Sequence, residues 1–224
     1  MAKKQVAVIG LGRFGSSVAR TLYQLGHDVL AVDKDEKAVQ ALVGQVTYPV
    51  KGDATDEASL KEMGISNFDA AIVAIGGDLQ SSLLSTILLK RLGVPYLLAR
   101  AENDLHGAAL EKLGADNVVY PEADMGVQVA HSLGYKNVLD YTVVGANYGV
   151  IKLKLPERYT GMTLEEAGLS LRSKTSIAAL LIKRGNDVIL MPDRVERIQA
   201  DDIFVVAGKD EQLEKLQAGP EPTP

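Results

Sequence analysis

Apolar and polar positions along the chain alternate between two periods. VAVIG at residues 6–10 is a short apolar run with β-branched side chains, and SSVARTLYQLG at 16–26 changes to a helical period that stops at Gly26. HDVLAVD at 27–33 returns to a strand that ends on an acid. The unit then repeats as helix DEKAVQAL (35–42), strand TYPVK (47–51) and helix DEASLKEMG (56–64). DAAIVAIGG at 69–77 is the most apolar strand, as expected of one buried on both faces at the centre of a parallel sheet. The next helix, 78–92, carries Leu79, Leu83, Leu84, Ile87, Leu88 and Leu89, more than one narrow stripe holds, so deep burial is expected of it ahead of a subunit contact. PYLLARA (95–101), DLHGAALEKLG (104–114) and NVVY (117–120) add strand, helix and strand.

Strands that alternate with helices over residues 5–120 indicate a doubly wound α/β domain with a parallel sheet. EADMGVQVAHSLG (122–134) is one further helix, after which the periodicity changes. DYTVVG (140–145) and YGVIKLKLP (148–156) predict strands, the second with Val150, Lys152 and Lys154 on one face and Ile151, Leu153 and Leu155 on the other. TLEEAG (163–168) predicts a short helix, SIAALLIKRGNDVILMP (176–192) a hairpin turning at Gly185-Asn186, DDIFVVAG (201–208) a strand and DEQLEKL (210–216) a last helix. The expected organisation is an α/β domain over 1–137, a small α+β domain over 138–217 and a disordered tail over 218–224, where proline recurs without any apolar period.

Composition narrows the function. A formal charge of −5 over 224 residues offers no general surface for polyanions, so nucleic acid is not an expected partner. The absence of cysteine excludes disulfides, thiolate metal sites and a cysteine nucleophile. MAKKQVAVIG leads straight into a strand, so no export is expected, and no apolar run reaches the length of about 18 residues that a membrane span needs.

Gly10, Gly12 and Gly15 form G-x-G-x-x-G between strand and helix, and Asp33 ends the next strand 18 residues after Gly15. In that context the first glycine permits the tight turn, the second lets a phosphate approach the backbone and the third lets helix and strand pack closely. Free amides and the helix dipole then favour an anion. A carboxylate at Asp33 can accept both ribose hydroxyls of an adenosine and repels a 2′-phosphate, which disfavours NADP. Arg13 is an unhelpful cation at the positive end of a helix unless an anion lies close; an exposed arginine without function is the alternative.

An enzyme is harder to assemble. His27, His106 and His131 each suit an ordinary surface or core position better than a catalytic one. Tyr148 and Lys152 have the spacing of a Y-x-x-x-K pair, but on a strand their side chains would stand about 13 Å apart. No G-K-[ST] loop, H-E-x-x-H or G-x-S-x-G is present. A nucleotide without chemistry beside it is expected to act as a signal. A small NAD-dependent oxidoreductase is the alternative.

VIGLGRFGSSVA (8–19), VLAVDKDE (29–36), GDATDE (52–57), AIVAIG (71–76) and GADNVVYPEADMG (114–126) together resemble the cytosolic RCK subunits, regulators of potassium conductance, of bacterial Ktr and Trk potassium-uptake systems, most closely the Ktr form. The resemblance implies a Rossmann-like nucleotide-binding domain followed by a small RCK C-terminal domain. It also implies a non-enzymatic subunit that forms dimers and an octameric ring on the cytoplasmic face of an integral membrane potassium-translocating partner. ATP or ADP, with NAD or NADH left open, would change the shape of the ring and so gate ion flow. Gly10, Gly12 and Gly15 would carry the phosphates, Arg13 would meet the terminal ones, and Phe14 would belong to the same site. Asp33 would hold the ribose, Lys34 would belong to the same site, Asp53 and Ala54 would flank the adenine, Ile75 and Gly76 would line the site, and Arg100 would lie near phosphate. Glu122 matches the position of an interface cation (Mg, Ca or Na), although an ordinary acid at a helix start explains it equally well. Leu164, Arg172 and Pro192 fall where related subunits bind cyclic di-AMP. A regulator of an ion antiporter with the same two-domain plan remains a third reading.

Overall fold

The computed structural model describes residues 2–134, 138–171 and 175–217. It divides into two compact units, Met1–Glu122 and Ala123–Pro224. The predicted tail at 218–224 and Arg172 lie outside the described residues.

The first unit alternates β1 (Gln5–Ile9), α1 (Arg13–Gln24), β2 (Asp28–Asp33), α2 (Glu36–Gln40), β3 (Tyr48–Lys51), α3 (Glu57–Glu62), β4 (Ala70–Val73), α4 (Leu79–Arg91), β5 (Tyr96–Arg100), α5 (Asp104–Lys112) and β6 (Asn117–Val119). Helix α6 (Pro121–Gly134) begins here and continues into the second unit. The six strands form one parallel sheet in the order β3-β2-β1-β4-β5-β6. Alternate residues of β1 and β2 enter opposite cores: Ala7, Ile9, Leu30 and Val32 pack in one, Val8, Val29 and Ala31 in the other. Burial on both faces is why these strands read as nearly continuous apolar runs. The chain reverses its direction of travel between β1 and β4, which opens a crevice beyond the carboxyl ends of those strands.

Acidic and amide side chains start the helices. Asp35, Asp56, Asp78 and Asn103 accept backbone N–H groups at the beginnings of α2, α3, α4 and α5. The leucine-rich helix departs from expectation. Against the core α4 places Ser82, Ser85, Thr86 and Leu89, while Leu79 and Leu84 are exposed. Small hydroxyl residues let the helix approach the core closely, and that close packing turns two leucines outward.

The second unit contains β7 (Val138–Gly145), β8 (Tyr148–Lys154), β9 (Ile177–Arg184), β10 (Asp187–Leu190), β11 (Ile203–Lys209) and α7 (Asp210–Gln217). Its antiparallel sheet has the order β10-β9-β11-β8-β7. Ile151 and Leu153 face its core together with Phe204, Ile182 and Leu213, while Lys152 and Lys154 are exposed, as the alternation along β8 predicts. The hairpin turns at Gly185-Asn186, with Gly185 at φ +58°.

TLEEAG is not a helix. Residues 164–168 form turns. The N–H groups of Leu164 and Glu165 donate to the carbonyls of Glu196 and Arg194, and Thr163 bridges Arg197. Those two amides belong to a first turn and would have no intrahelical partner in any case. Thr163 and Glu166 exchange hydrogen bonds of 2.8 and 3.2 Å in the manner of a capping box and Ala167 N–H reaches the Thr163 carbonyl at 3.0 Å, but Gly168 at φ +70° closes the chain after that one turn, with Leu169 N–H on the Leu164 carbonyl.

Candidate functional site

A cleft of about 530 Å³ opens at the crevice between β1 and β4. Of the first-unit residues expected to hold a nucleotide or a cation, all but Gly15 and Asp53 line it. A cleft of this size suits a small organic ligand.

The glycine loop forms one edge of it. Gly10 has φ +91°, and a Cβ there would sit 3.0 Å from the Ile75 nitrogen, so this turn excludes a side chain. Gly12 starts α1 without any side-chain cap, and a Cβ on it would meet nothing within 4 Å. The first bond of the helix runs from Ser16 N–H to the Gly12 carbonyl at 2.9 Å. The amides of Arg13, Phe14 and Gly15 therefore precede the ladder, and the first turn holds no acidic residue to answer them. Arg13 is exposed and, among the described residues, has no ion-pair partner.

Gly15 acts through packing. A Cβ there would lie 1.9 Å from the Gly10 carbonyl oxygen. Gly15→Ala is expected to cost about 3 kcal/mol, the upper end of overpacking penalties, because the obstacle is backbone. Urea unfolding should show a lowered midpoint with an unchanged slope; an unmoved midpoint would contradict this packing.

Asp33 is held by two backbone donors. Its Oδ2 accepts Leu11 N–H at 2.6 Å and its Oδ1 accepts Asp35 N–H at 2.8 Å. Each oxygen keeps a lone pair for a ribose hydroxyl. The helix cap beside it is Asp35, which leaves Asp33 for the cleft. Lys34 pairs with Asp53 at 3.2 Å. Asp53 also accepts the amide and hydroxyl of Thr55; burial pushes its carboxyl up, but these donors together outweigh burial and hold it below the usual carboxylate range. Asp53 is thereby turned toward Thr55 and Lys34, while Ala54 and Thr55 form the cleft wall.

At the far end Arg100 leans over Gly76, where a Cβ would stand 1.6 Å from its Nη1. Its Nη2 and Nε donate to the two carboxylate oxygens of Glu122 at 2.7 and 3.3 Å. That contact holds the Glu122 carboxyl below its ordinary range. No cluster of three or more metal-ligating side chains exists among the described residues, and the Glu122 carboxylate is engaged by Arg100. Sequence reasoning missed Asp78 and Ser81, which also line the cleft. Asp78 accepts both the amide and the hydroxyl of Ser81, and D-x-x-S directly after an apolar strand is the cap signal that marks them.

Elsewhere, His27 Nδ1 accepts Lys4 N–H, and His106 is a buried residue whose Nδ1 accepts Glu102 N–H. Tyr148 and Lys152 lie on β8 opposite Lys209 and Val205, strand geometry that keeps the pair apart. In the second unit Leu164 is a fully buried core residue and Pro192 is also buried.

Residues 6–121 match the TrkA-N domain and residues 150–218 the TrkA-C domain. Over 215 residues, 96% of both chains, the sequence is 41% identical to Ktr system potassium uptake protein C of Bacillus subtilis. The chain belongs to the Ktr family of potassium-uptake proteins. Ktr system potassium uptake protein A from the same organism is 39% identical over 96% of both chains, and that of Vibrio alginolyticus 34% identical over 94% of both. Among solved structures, the GsuK RCK domain overlays this Ktr-family chain with a TM-score of 0.65 at 20% identity, covering 98% of this chain and 49% of the other, a likeness of fold. The GsuK channel bound to NAD overlays it at 0.64 and 19% identity, over 98% of this chain and 40% of that one. The expected Rossmann-like unit with a small C-terminal RCK unit is the observed fold, and the family places it among potassium-uptake proteins rather than oxidoreductases.

Proposed function

We propose that this Ktr-family chain is the nucleotide-sensing regulatory subunit of a potassium channel or transporter, without catalysis of its own. The observation that carries the nucleotide reading is the pairing of unanswered amides at the start of α1 with the oriented carboxylate of Asp33 across the same cleft. One takes phosphate and the other ribose. ATP or ADP is the proposed ligand. NAD fits the same two contacts, and a fold relative binds it.

The ligand works by differential affinity for two shapes of an assembly of chains, proposed to be dimers within an octameric ring. Leu79 and Leu84 on α4 offer apolar area for such self-association. The membrane partner is an integral potassium-translocating protein; no described helix of this chain is itself long and apolar enough to cross a membrane. A cation held by Glu122 between chains, and cyclic di-AMP near Leu164, Arg172 and Pro192, belong to the same proposal.

Arg13 distinguishes ATP from ADP in this reading. Exposed guanidiniums brought together by two chains repel each other, and the additional phosphate of ATP relieves that repulsion. Arg13→Ala is expected to reduce the preference for ATP over ADP by about tenfold. Calorimetric titration of both nucleotides, with X-ray scattering of the assembly in each state, tests this. Undiminished discrimination, or one scattering profile in both nucleotides, would count against the gate.

A further inference from the structure

The cleft wall carries as many carboxylates as cations: Asp33, Asp78 and Glu122 against Arg13, Lys34 and Arg100. Among the described residues Arg13 has no ion-pair partner, so any second cation that a bound polyphosphate meets must come out of a pair that already exists, Lys34 with Asp53 or Arg100 with Glu122. Arg100 and Glu122 form the pair best built for exchange. Only 15% of the Arg100 side chain is exposed, against 67% of Glu122. Gly76 leaves the room in which the guanidinium lies, so Arg100 is fixed on the cleft side, whereas Glu122 can leave into water at little cost. Glu122 takes the Nε–Nη2 edge of the guanidinium, the same fork a phosphate engages with two parallel hydrogen bonds.

We propose that Glu122 is a built-in competitor for the ligand: on binding, Arg100 exchanges the Glu122 carboxylate for a phosphate oxygen of an adenine nucleotide. This rests on the nucleotide reading above and adds a specificity rule to it. A more highly charged phosphate displaces Glu122 more completely, so the pair grades nucleotides by charge. Displacement also frees a carboxylate in the first turn of α6, the helix that continues into the second unit. Ligand charge is thereby converted into the loss of a defined tether on that helix. The affinity lost to competition follows from the fraction of molecules in which Arg100 is already engaged.

The test is titration of the full chain with ADP in EDTA, so that no divalent cation engages Glu122. Glu122→Gln and Glu122→Ala are expected to bind ADP about five- to tenfold more tightly than the wild type. Glu122 is mostly exposed, so both variants should keep the wild-type melting temperature. Arg100→Ala should bind more weakly, and adding Glu122→Ala to it should change nothing further, since the competitor then has no cation to occupy. ADP binding by the wild type with no gain in either Glu122 variant would overturn the exchange and leave the nucleotide reading standing. A gain that persists in the Arg100→Ala background would also overturn it, because it would report general charge removal. Absence of ADP binding by every form would overturn the exchange, and absence of ATP, NAD and NADH binding as well would remove the nucleotide reading with it.

Discussion

Arg184→Ala is expected to destabilise the second unit by about 3–5 kcal/mol, the cost of breaking one side of a buried ion cluster. Arg184 donates to both oxygens of Asp202 at 2.9 and 2.8 Å, to Glu196 at 2.9 Å and to the Arg197 carbonyl at 2.9 Å. The Asp202 side chain is only 1% exposed, so removal of the guanidinium leaves a carboxylate without solvent or counter-charge. Burial pushes the Asp202 carboxyl up, but the hydrogen bonds from Arg184 and Gln199 outweigh it and hold it below its ordinary value of 3.8.

A lowered folded pKa means that the contribution of Asp202 is complete above the unfolded value and is lost as pH falls through the folded one. In Arg184→Ala the balance reverses, because burial is then opposed only by the Gln199 amide and favours the protonated acid. The stability gap between variant and wild type should therefore narrow in acid. Chemical denaturation followed by circular dichroism at neutral pH and near pH 3 reads both effects. A gap below about 1 kcal/mol at neutral pH would show that the cluster contributes no more than a surface pair does.

Asp33→Ala is expected to weaken ADP binding by about a hundredfold, since hydrogen bonds to a charged acceptor contribute about 1.5–3 kcal/mol each. The loss has two sources. The ribose hydroxyls lose their acceptor, and the Leu11 and Asp35 amides lose the carboxylate that orients the loop. Asp33→Asn should fall between the variant and the wild type, because one acceptor oxygen remains. Calorimetry on variants of unchanged melting temperature separates binding from folding. ADP affinity within about twofold of wild type in Asp33→Ala would place the ribose elsewhere.

The elements that sequence reasoning located well are those whose signal is local. The parallel strands are apolar on both faces, and Gly26 ends the first helical period at a turn with φ +90°. Gly10 and Gly15 are legible because a Cβ at either would strike backbone, and Asp33 because an acid closes the second strand. Features that depend on contacts between distant residues are hidden. Residues 163–168 carry helix-like chemistry but complete only one turn before Gly168, at φ +70°, ends it, and their pairing with residues 194–197 lies some thirty residues away. Leu79 and Leu84 of α4 look like core until Ser82, Ser85 and Thr86 are seen to share the inner face with Leu89. Arg100 and Glu122 each stand out in the sequence, but their contact spans 22 residues and no periodicity announces it.

The central claim is that the cleft holds an adenine nucleotide and returns it unchanged. The most direct measurement is calorimetric titration of the unmodified full chain with ATP, ADP, NAD and NADH, followed by chromatography of the recovered ligand. The account predicts saturable binding of an adenine nucleotide, one per chain, with the ligand recovered intact. Failure of all four to bind, or steady conversion of any of them, would contradict it.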